Sequence, residues 1–311
     1  MNYELHNMKK EIAIIGLGKM GKGIAEHLLE KGWRVIVYNR SPEKVEELVS
    51  RGAVGSFSIK ECIEAFEEGP RVIWMMLTAG APTEEILFGE EGLQSYLEEG
   101  DVVIEGGNAF YKDDAPRAEK LASSGVEYID VGVSGGPTGA RNGACLMVGG
   151  SKEKFLEMED LYKDLSIDKG YAHFEGVGAG HFVKMVHNGV EYGMMQAIGE
   201  GFEVMRKSSF NLDLKEVSRI YNTGSVIESR LIGWLEKAYK EWGVALDPIS
   251  GTVKHSGEGK WTVEAGKELG VETPVITDAY QFRLDSEKNP SYAGQVVSAL
   301  RGQFGGHPVK K

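Results

Sequence analysis

The apolar run Ile12–Ile15 opens directly onto Gly16-Leu17-Gly18-Lys19-Met20-Gly21 and then onto a helical pattern that reaches Leu29. Few chain geometries satisfy that order. The first glycine permits a tight turn, the second lets backbone come close to a pyrophosphate, and the third lets the helix pack against the strand. Unpaired N–H groups and the positive dipole end of the helix then face the phosphates. The pattern predicts a dinucleotide site built on Gly16, Gly18, Lys19, Met20 and Gly21.

From Glu11 to about Gly150, short β-rich runs alternate with amphipathic helical stretches. Strands are expected at Ile12–Ile15, Arg34–Tyr38, Val72–Leu77, Val102–Glu105 and Tyr128–Val131, with shorter β-type runs near Leu146–Val148 and Tyr171–Phe174. Their nearly continuous apolar character suits parallel strands covered on both faces. After about Gly176 the patterns are helical: Ala179–Lys207, Asp213–Tyr221, Ser229–Trp242, Thr262–Leu269, Pro274–Ser286 and Tyr292–Gly302. The expected fold is α/β, with an N-terminal Rossmann-type doubly wound sheet in residues 1–177 and an all-helical C-terminal domain in 178–311.

The second strand ends at Tyr38-Asn39-Arg40-Ser41, with no acidic residue where a site preferring NAD places one for the ribose hydroxyls. Arg40 can pair with a 2′-phosphate and stack on adenine, while Asn39 and Ser41 offer neutral hydrogen bonds. NADP is the expected coenzyme, with NAD as the alternative.

Charge narrows the partners. A formal charge of −12 over 311 residues argues against nucleic acid and anionic membrane, both of which need a basic face. A phosphorylated small molecule stays possible, because a few converging cations make a positive pocket on an acidic protein. Cys62 and Cys145 are far apart and lack metal-type spacing, so no disulfide framework and no metal site is expected. Met1 to Lys10 lack a secretory core, and no stretch approaches the roughly 20 apolar residues of a membrane span, so a cytoplasmic location is expected.

The segment from Gly178 to Tyr192 carries the most chemistry. At about 100° per residue, Lys184, Asn188 and Glu191 fall near one helix face with His187 and Tyr192 beside them. Val186, Val190, Met194 and Ala197 lie opposite, spaced to enter a core. A solvated face would also carry a Lys/Asn/Glu stripe. It would not need Gly189 and Gly193, which weaken a helix by roughly 1 kcal/mol each unless something must approach closely. Upstream, Gly132-Val133-Ser134-Gly135-Gly136-Pro137 leaves the carboxyl end of a strand, where exposed N–H groups could hold an anion or simply form a turn. Near the other end, Ser256-Gly257-Glu258-Gly259-Lys260-Trp261-Thr262 leads into a helical run, whose start could meet a phosphate with Lys260, the Thr262 hydroxyl and free N–H groups.

Taken together, Gly16–Gly21, Tyr38–Ser41, Gly107-Asn108, Val133–Gly136, His181–Gly189, Gly259-Lys260-Trp261-Thr262 and Gln303-Phe304-Gly305-Gly306-His307 resemble the 6-phosphogluconate dehydrogenases of the β-hydroxyacid dehydrogenase superfamily. The resemblance implies oxidation of 6-phosphogluconate at C3 and loss of CO₂ to give ribulose 5-phosphate, within the pentose phosphate pathway. It implies Lys184 as general base, Glu191 as the acid that protonates the enol, and Asn188 and His187 as orienting groups. Asn108 would contact coenzyme and substrate, Ser134, Gly135 and Gly136 would hold the acid end, and Tyr192, Lys260, Thr262, Arg283, Arg301 and His307 would bind the phosphate. A lysine acts as a base at neutral pH when burial or a neighbouring positive charge lowers its pKa, which an oxidised nicotinamide would supply. No metal is required if Lys184 and Asn188 polarise the new carbonyl.

The chain is similar to a short form, since little sequence separates Lys260 from Arg301. The resemblance also implies a homodimer in which Arg301 and His307 act across the interface. Two other readings share the glycine loop: a non-decarboxylating dehydrogenase of the 3-hydroxyisobutyrate or tartronate semialdehyde type, and a dinucleotide sensor without turnover.

Overall fold

The computed structural model describes residues 9–255 and 257–310. In chain order it carries β1 (Glu11–Ile15), α1 (Lys19–Glu30), β2 (Arg34–Tyr38), α2 (Pro42–Val49), β3 (Val54–Ser56), α3 (Ile59–Glu64), β4 (Val72–Met75), α4 (Ala81–Phe88), β5 (Val102–Glu105), α5 (Asp114–Ala122), β6 (Glu127–Ser134), α6 (Gly136–Asn142), β7 (Ala144–Val148), α7 (Lys152–Glu157), α8 (Glu159–Leu165) and β8 (Ser166–His173). The long helix α9 (Ala179–Lys207) follows, then α10 (Leu214–Tyr221), α11 (Arg230–Trp242), α12 (Glu258–Glu268), α13 (Pro274–Asp285) and α14 (Tyr292–Gly305). The chain divides into two compact units inside α9, after Lys184, whereas the sequence places the boundary just ahead of that helix.

The first unit holds one sheet in the order β3-β2-β1-β4-β5-β6-β7-β8. Winding reverses between β1 and β4, and the crevice beyond the carboxyl ends of strands at such a switch is where open α/β sheets take ligands. Successive side chains alternate between two cores. Ile12, Ile14, Val35, Val37, Trp74 and Ile104 enter one with Leu28 of α1 and Leu161 of α8, and Ala13, Ile15, Ile36, Ile73 and Val103 enter the other with Cys62, Leu87 and Leu121. Each fully buried aliphatic side chain contributes about 1.5–3 kcal/mol relative to exposure, so the alternation fixes the register.

One strand departs from the expected parallel sheet, and two others differ in presence or extent. Strand β7 runs antiparallel to β6, with Ser134 opposite Cys145. The connection from Ser134 to Ala144 is shorter than the dozen or so residues that a parallel return requires, so the chain doubles back. Strand β3 was not anticipated, because Val54-Gly55-Ser56 is too short and too polar to stand out. Strand β8 also begins five residues earlier than Tyr171, the start read from its apolar end.

The second unit surrounds Met195, Phe202, Leu231, Leu235, Tyr239, Val296 and Leu300. Ser229 and Ser291 cap α11 and α14, their hydroxyls accepting from the N–H groups of Ile232 at 3.3 Å and Gly294 at 3.1 Å. The buried side of α9 is not the one its aliphatic residues predict. Val190 is 50% exposed and Met194 44%, and Ala197 is exposed with them, while Met185, Tyr192 and Met195 are buried. Small residues decide this: a side chain at Gly189 would stand 2.6 Å from Thr262 of α12, and one at Gly199 2.9 Å from the carbonyl of Ala293. Helices approach where the backbone is bare, and that side of α9 turns inward. Among the described residues no helix is long and apolar enough to cross a membrane.

Candidate active site

At the head of the sheet, two glycines of the first motif are required by the protein's own packing. Gly16 adopts φ +95° against the carbonyl of Met76, and a Cβ on Gly21 would collide with the carbonyl of Gly16. Gly18 is different. A Cβ there would have nothing within 4 Å, yet the position is glycine and stands at the N-terminus of α1 with no side-chain cap and no acidic residue in the first turn. Close approach of a pyrophosphate to bare backbone accounts for that glycine, so the loop fits a dinucleotide. Lys19 lies exposed and Met20 half-buried in the same first turn.

The end of β2 is only partly as expected. Asn39 accepts from the Leu17 N–H at 2.9 Å and donates to the Ser41 carbonyl at 3.2 Å, so its side chain braces the glycine loop instead of facing a ribose. Arg40 is exposed, and Ser41 stands at the N-cap of α2 without a side-chain hydrogen bond. Asn108 is exposed just beyond β5.

Further along the carboxyl edge, β6 extends to Ser134, and Gly135, at φ +118°, turns the chain into α6, which starts at Gly136. The first turn of α9 lies against this edge. Asp130 accepts from the N–H of Gly178 at 2.7 Å and of His181 at 2.8 Å. A Cβ on Gly132 would collide with Lys184, so bare backbone at that strand position seats the lysine two residues before Ser134.

Sequence reasoning missed the buried trio Glu105, Asp114 and His181, whose candidate ligand atoms lie within 4.8 Å of one another. Its members pair with one another. His181 Nδ1 stands 2.7 Å from Asp114 and Nε2 3.4 Å from Glu105. Burial lowers the imidazole pKa, but the Asp114 hydrogen bond and the surrounding carboxylates outweigh it and push the group up to about 9.

In the second unit, His187 Nδ1 lies 3.0 Å from Asn188 Oδ1 and 3.9 Å from Glu191 Oε2. Asn188 is buried and Glu191 half-buried. Next on the helix, Tyr192 is stacked under Arg283, whose Cζ is 3.2 Å from the ring centroid. Gly259 makes room, since a Cβ there would strike the Tyr192 ring. Arg283 and Arg301 are 3% and 7% exposed, and Arg283 Nη2 is buried with no hydrogen-bond partner among the described residues. Burial, assisted by the charge of Arg301, lowers Arg283 to about 10, and burial lowers Arg301 as well. Two desolvated cations in one place form an anion site by their chemistry.

The other members of the expected phosphate group have local partners of their own. Helix α12 begins at Glu258, ahead of the expected start at Thr262, so Lys260 is helical, exposed, and 3.4 Å from Glu264 one turn on. The Thr262 hydroxyl is buried 2.8 Å from the Met185 carbonyl and 3.0 Å from that of Glu258. Its single proton is committed to backbone, and it braces α12 against α9. His307 is exposed beyond α14, edge-on to Phe304 at 6.4 Å. Arg301 is buried near Tyr192, Glu258 and Glu191 of its own chain.

Residues 11–171 match the NAD binding domain of 6-phosphogluconate dehydrogenase, and residues 180–302 match the C-terminal domain of 6-phosphogluconate dehydrogenase. The chain is 42% identical over 301 residues to YqeC of Bacillus subtilis, named as a candidate 6-phosphogluconate dehydrogenase, covering 97% of this chain and 99% of that one. It is 34% identical over 302 residues to the NAD(+)-dependent, decarboxylating 6-phosphogluconate dehydrogenase of Haloferax volcanii, again covering 97% and 99%. Among solved structures, 6-phosphogluconate dehydrogenase of Plasmodium falciparum superposes with a TM-score of 0.80 at 28% identity, over 93% of this chain and 70% of that one. The 3-hydroxyisobutyrate dehydrogenase of Salmonella typhimurium shares the fold with a TM-score of 0.74 at 20% identity, over 92% and 98%. With its glycine loop at the sheet's switch point and both halves of the chain matched, this protein belongs to the 6-phosphogluconate dehydrogenase family.

Proposed function

We propose that this oxidoreductase converts 6-phospho-D-gluconate to D-ribulose 5-phosphate and CO₂, with NADP as coenzyme. The observation that carries the reading is the buried pair Arg283 and Arg301, with an Arg283 nitrogen that has no acceptor among the described residues. A phosphate dianion matches two desolvated guanidiniums, whereas a small unphosphorylated hydroxyacid leaves one of them without a counter-charge.

Lys184 removes the proton of the C3 hydroxyl. The nicotinamide, when bound, accepts the hydride from C3. Lys184 and Asn188 then polarise the C3 carbonyl, the bond from C2 to the carboxylate breaks, and its electron pair passes into the enol. Glu191 protonates that enol on carbon, and His187 orients the substrate with Asn188. Ser134, Gly135 and Gly136 hold the acid end, Asn108 contacts coenzyme and substrate, and Tyr192, Arg283, Arg301 and His307 hold the phosphate. Residues 1–177 serve the coenzyme and 178–311 the substrate, in a cytoplasmic homodimer.

Purified protein supplied with NADP and 6-phosphogluconate is expected to form reduced coenzyme and CO₂ in equal amounts. Reduction with 3-hydroxyisobutyrate or another unphosphorylated acid, and none with 6-phosphogluconate, would overturn the reading in favour of the non-decarboxylating class. For coenzyme choice, Arg40 stands exposed at the end of β2 with no acidic residue between Tyr38 and Ser41. Arg40→Ala is expected to raise KM for NADP about tenfold, the size of one charge-assisted contact to a 2′-phosphate, while KM for NAD changes little. Equal changes for the two coenzymes would remove Arg40 from that role.

A further inference from the structure

We propose that His181 is a positioning residue that locks the first turn of α9 to the ends of β5 and β6 and so fixes the Lys184 amine three residues further along. The proposal rests on the role given to Lys184 above. Side chain and backbone of His181 are both tied. Nδ1 pairs with Asp114 at 2.7 Å and the backbone N–H donates to Asp130 at 2.8 Å, while Nε2 stands 3.4 Å from Glu105 as a charge contact that makes no hydrogen bond among the described residues. All four residues are buried, none of them more than 1% exposed. Their carboxylates are held in turn: Glu105 accepts from the Gly107 N–H at 2.9 Å, and Asp114 accepts from the Tyr128 hydroxyl at 2.8 Å with Arg117 3.8 Å away.

The bare backbone of Gly180 completes the arrangement, since a Cβ there would collide with the Met147 carbonyl of β7. The turn is therefore held from α5, β6 and β7 at once, with the Glu105 charge of β5 beside it. Lys184 is backed onto Gly132, so a shift of this turn displaces its amine. None of the clamp residues is needed for the transfer chemistry, and several buried charges would be a costly way merely to fill a core. The charged groups that face the imidazole are Glu105 of β5, Asp114 of α5 and Asp130 of β6, and Asp114 is itself contacted by Tyr128 of β6 and Arg117 of α5. Burial pushes the Glu105 and Asp130 carboxyls up and the imidazolium opposes this in both, so the cluster holds together while His181 is charged.

The imidazolium gives up its proton at about 9, which sets a wild-type test. Lys184 is labelled competitively with acetic anhydride between pH 7 and 10.5 and quantified by peptide mass spectrometry, with exposed Lys163 as internal reference. A clamp predicts a second break in the Lys184 profile near the imidazolium pKa, absent from Lys163. A profile with one break would overturn the proposal. In His181→Gln, Lys184 labelling at pH 8 is expected to change several-fold against Lys163, and kcat to fall about 100-fold, the cost of a misplacement on the order of 1 Å. Coenzyme KM should stay within about twofold, because the glycine loop is untouched.

A purely structural histidine would instead lower the melting temperature and the active fraction, and leave Lys184 labelling and kcat per active site unchanged. That result overturns the proposal. If His181→Gln does not fold, the wild-type profile decides. Labelling needs no substrate, so an enzyme inactive on 6-phosphogluconate would refute the proposed function while its labelling profile still tests the clamp.

Discussion

Lys184→Met is expected to lower kcat by at least about 1,000-fold, the upper part of the range for removing a positioned general base. Methionine keeps the stem that packs on Gly132, so the first turn of α9 has no new volume to accommodate. Coenzyme affinity, read by fluorescence titration, should change less than about threefold, since every glycine-loop contact lies elsewhere in the sequence. Large loss of turnover with retained coenzyme binding separates a chemical role from a structural one. Turnover within tenfold of wild type would remove Lys184 from the chemistry.

The second large effect has opposite signs in two measurements. Arg283→Met should raise KM for the phosphorylated substrate by about 100-fold to 1,000-fold, because truncating one side of a buried charge-assisted contact costs about 3–4 kcal/mol. Without ligand the same variant should melt at a higher temperature, since a buried guanidinium nitrogen with no acceptor among the described residues is a standing desolvation cost. A gain of about 1 kcal/mol would raise the melting point by roughly 4 °C in a domain of this size. Added inorganic phosphate should stabilise wild type and not the variant. An unchanged KM would assign the phosphate to other residues, and a lower melting point would mean that the stacking on Tyr192 outweighs desolvation.

What could be read beforehand follows the range of the physics. The glycine loop and the strand runs are largely local: Gly21 is fixed by Gly16 of the same strand–turn–helix, and although Gly16 is fixed by Met76 beyond β4, both appear as motif. Helices α9 to α14 are long enough for periodicity to emerge, within a few residues at each end. Periodicity does not say which side of a helix is buried. Val190 and Met194 promise a core-facing stripe, yet α12, α13 and α14 pack on the side where Gly189, Gly193 and Gly199 are bare. Thr262 fails for a related reason, because a hydroxyl near a helix start reads as a ligand group until the Met185 carbonyl is found beside it. The clamp around His181 was invisible in sequence, since Glu105, Asp114, Asp130 and His181 come from four separate segments and share no spacing.

The reversal of β7 also gives this chain a built-in spectroscopic address. Its two thiols are unlike: Cys62 is buried, with its pKa pushed up to about 12 by burial, while Cys145 is exposed. A maleimide dye therefore couples at one place, directly across the ladder from Ser134. Emission from that dye would report any change at the Ser134–Gly136 loop in real time, with no residue of the natural sequence replaced.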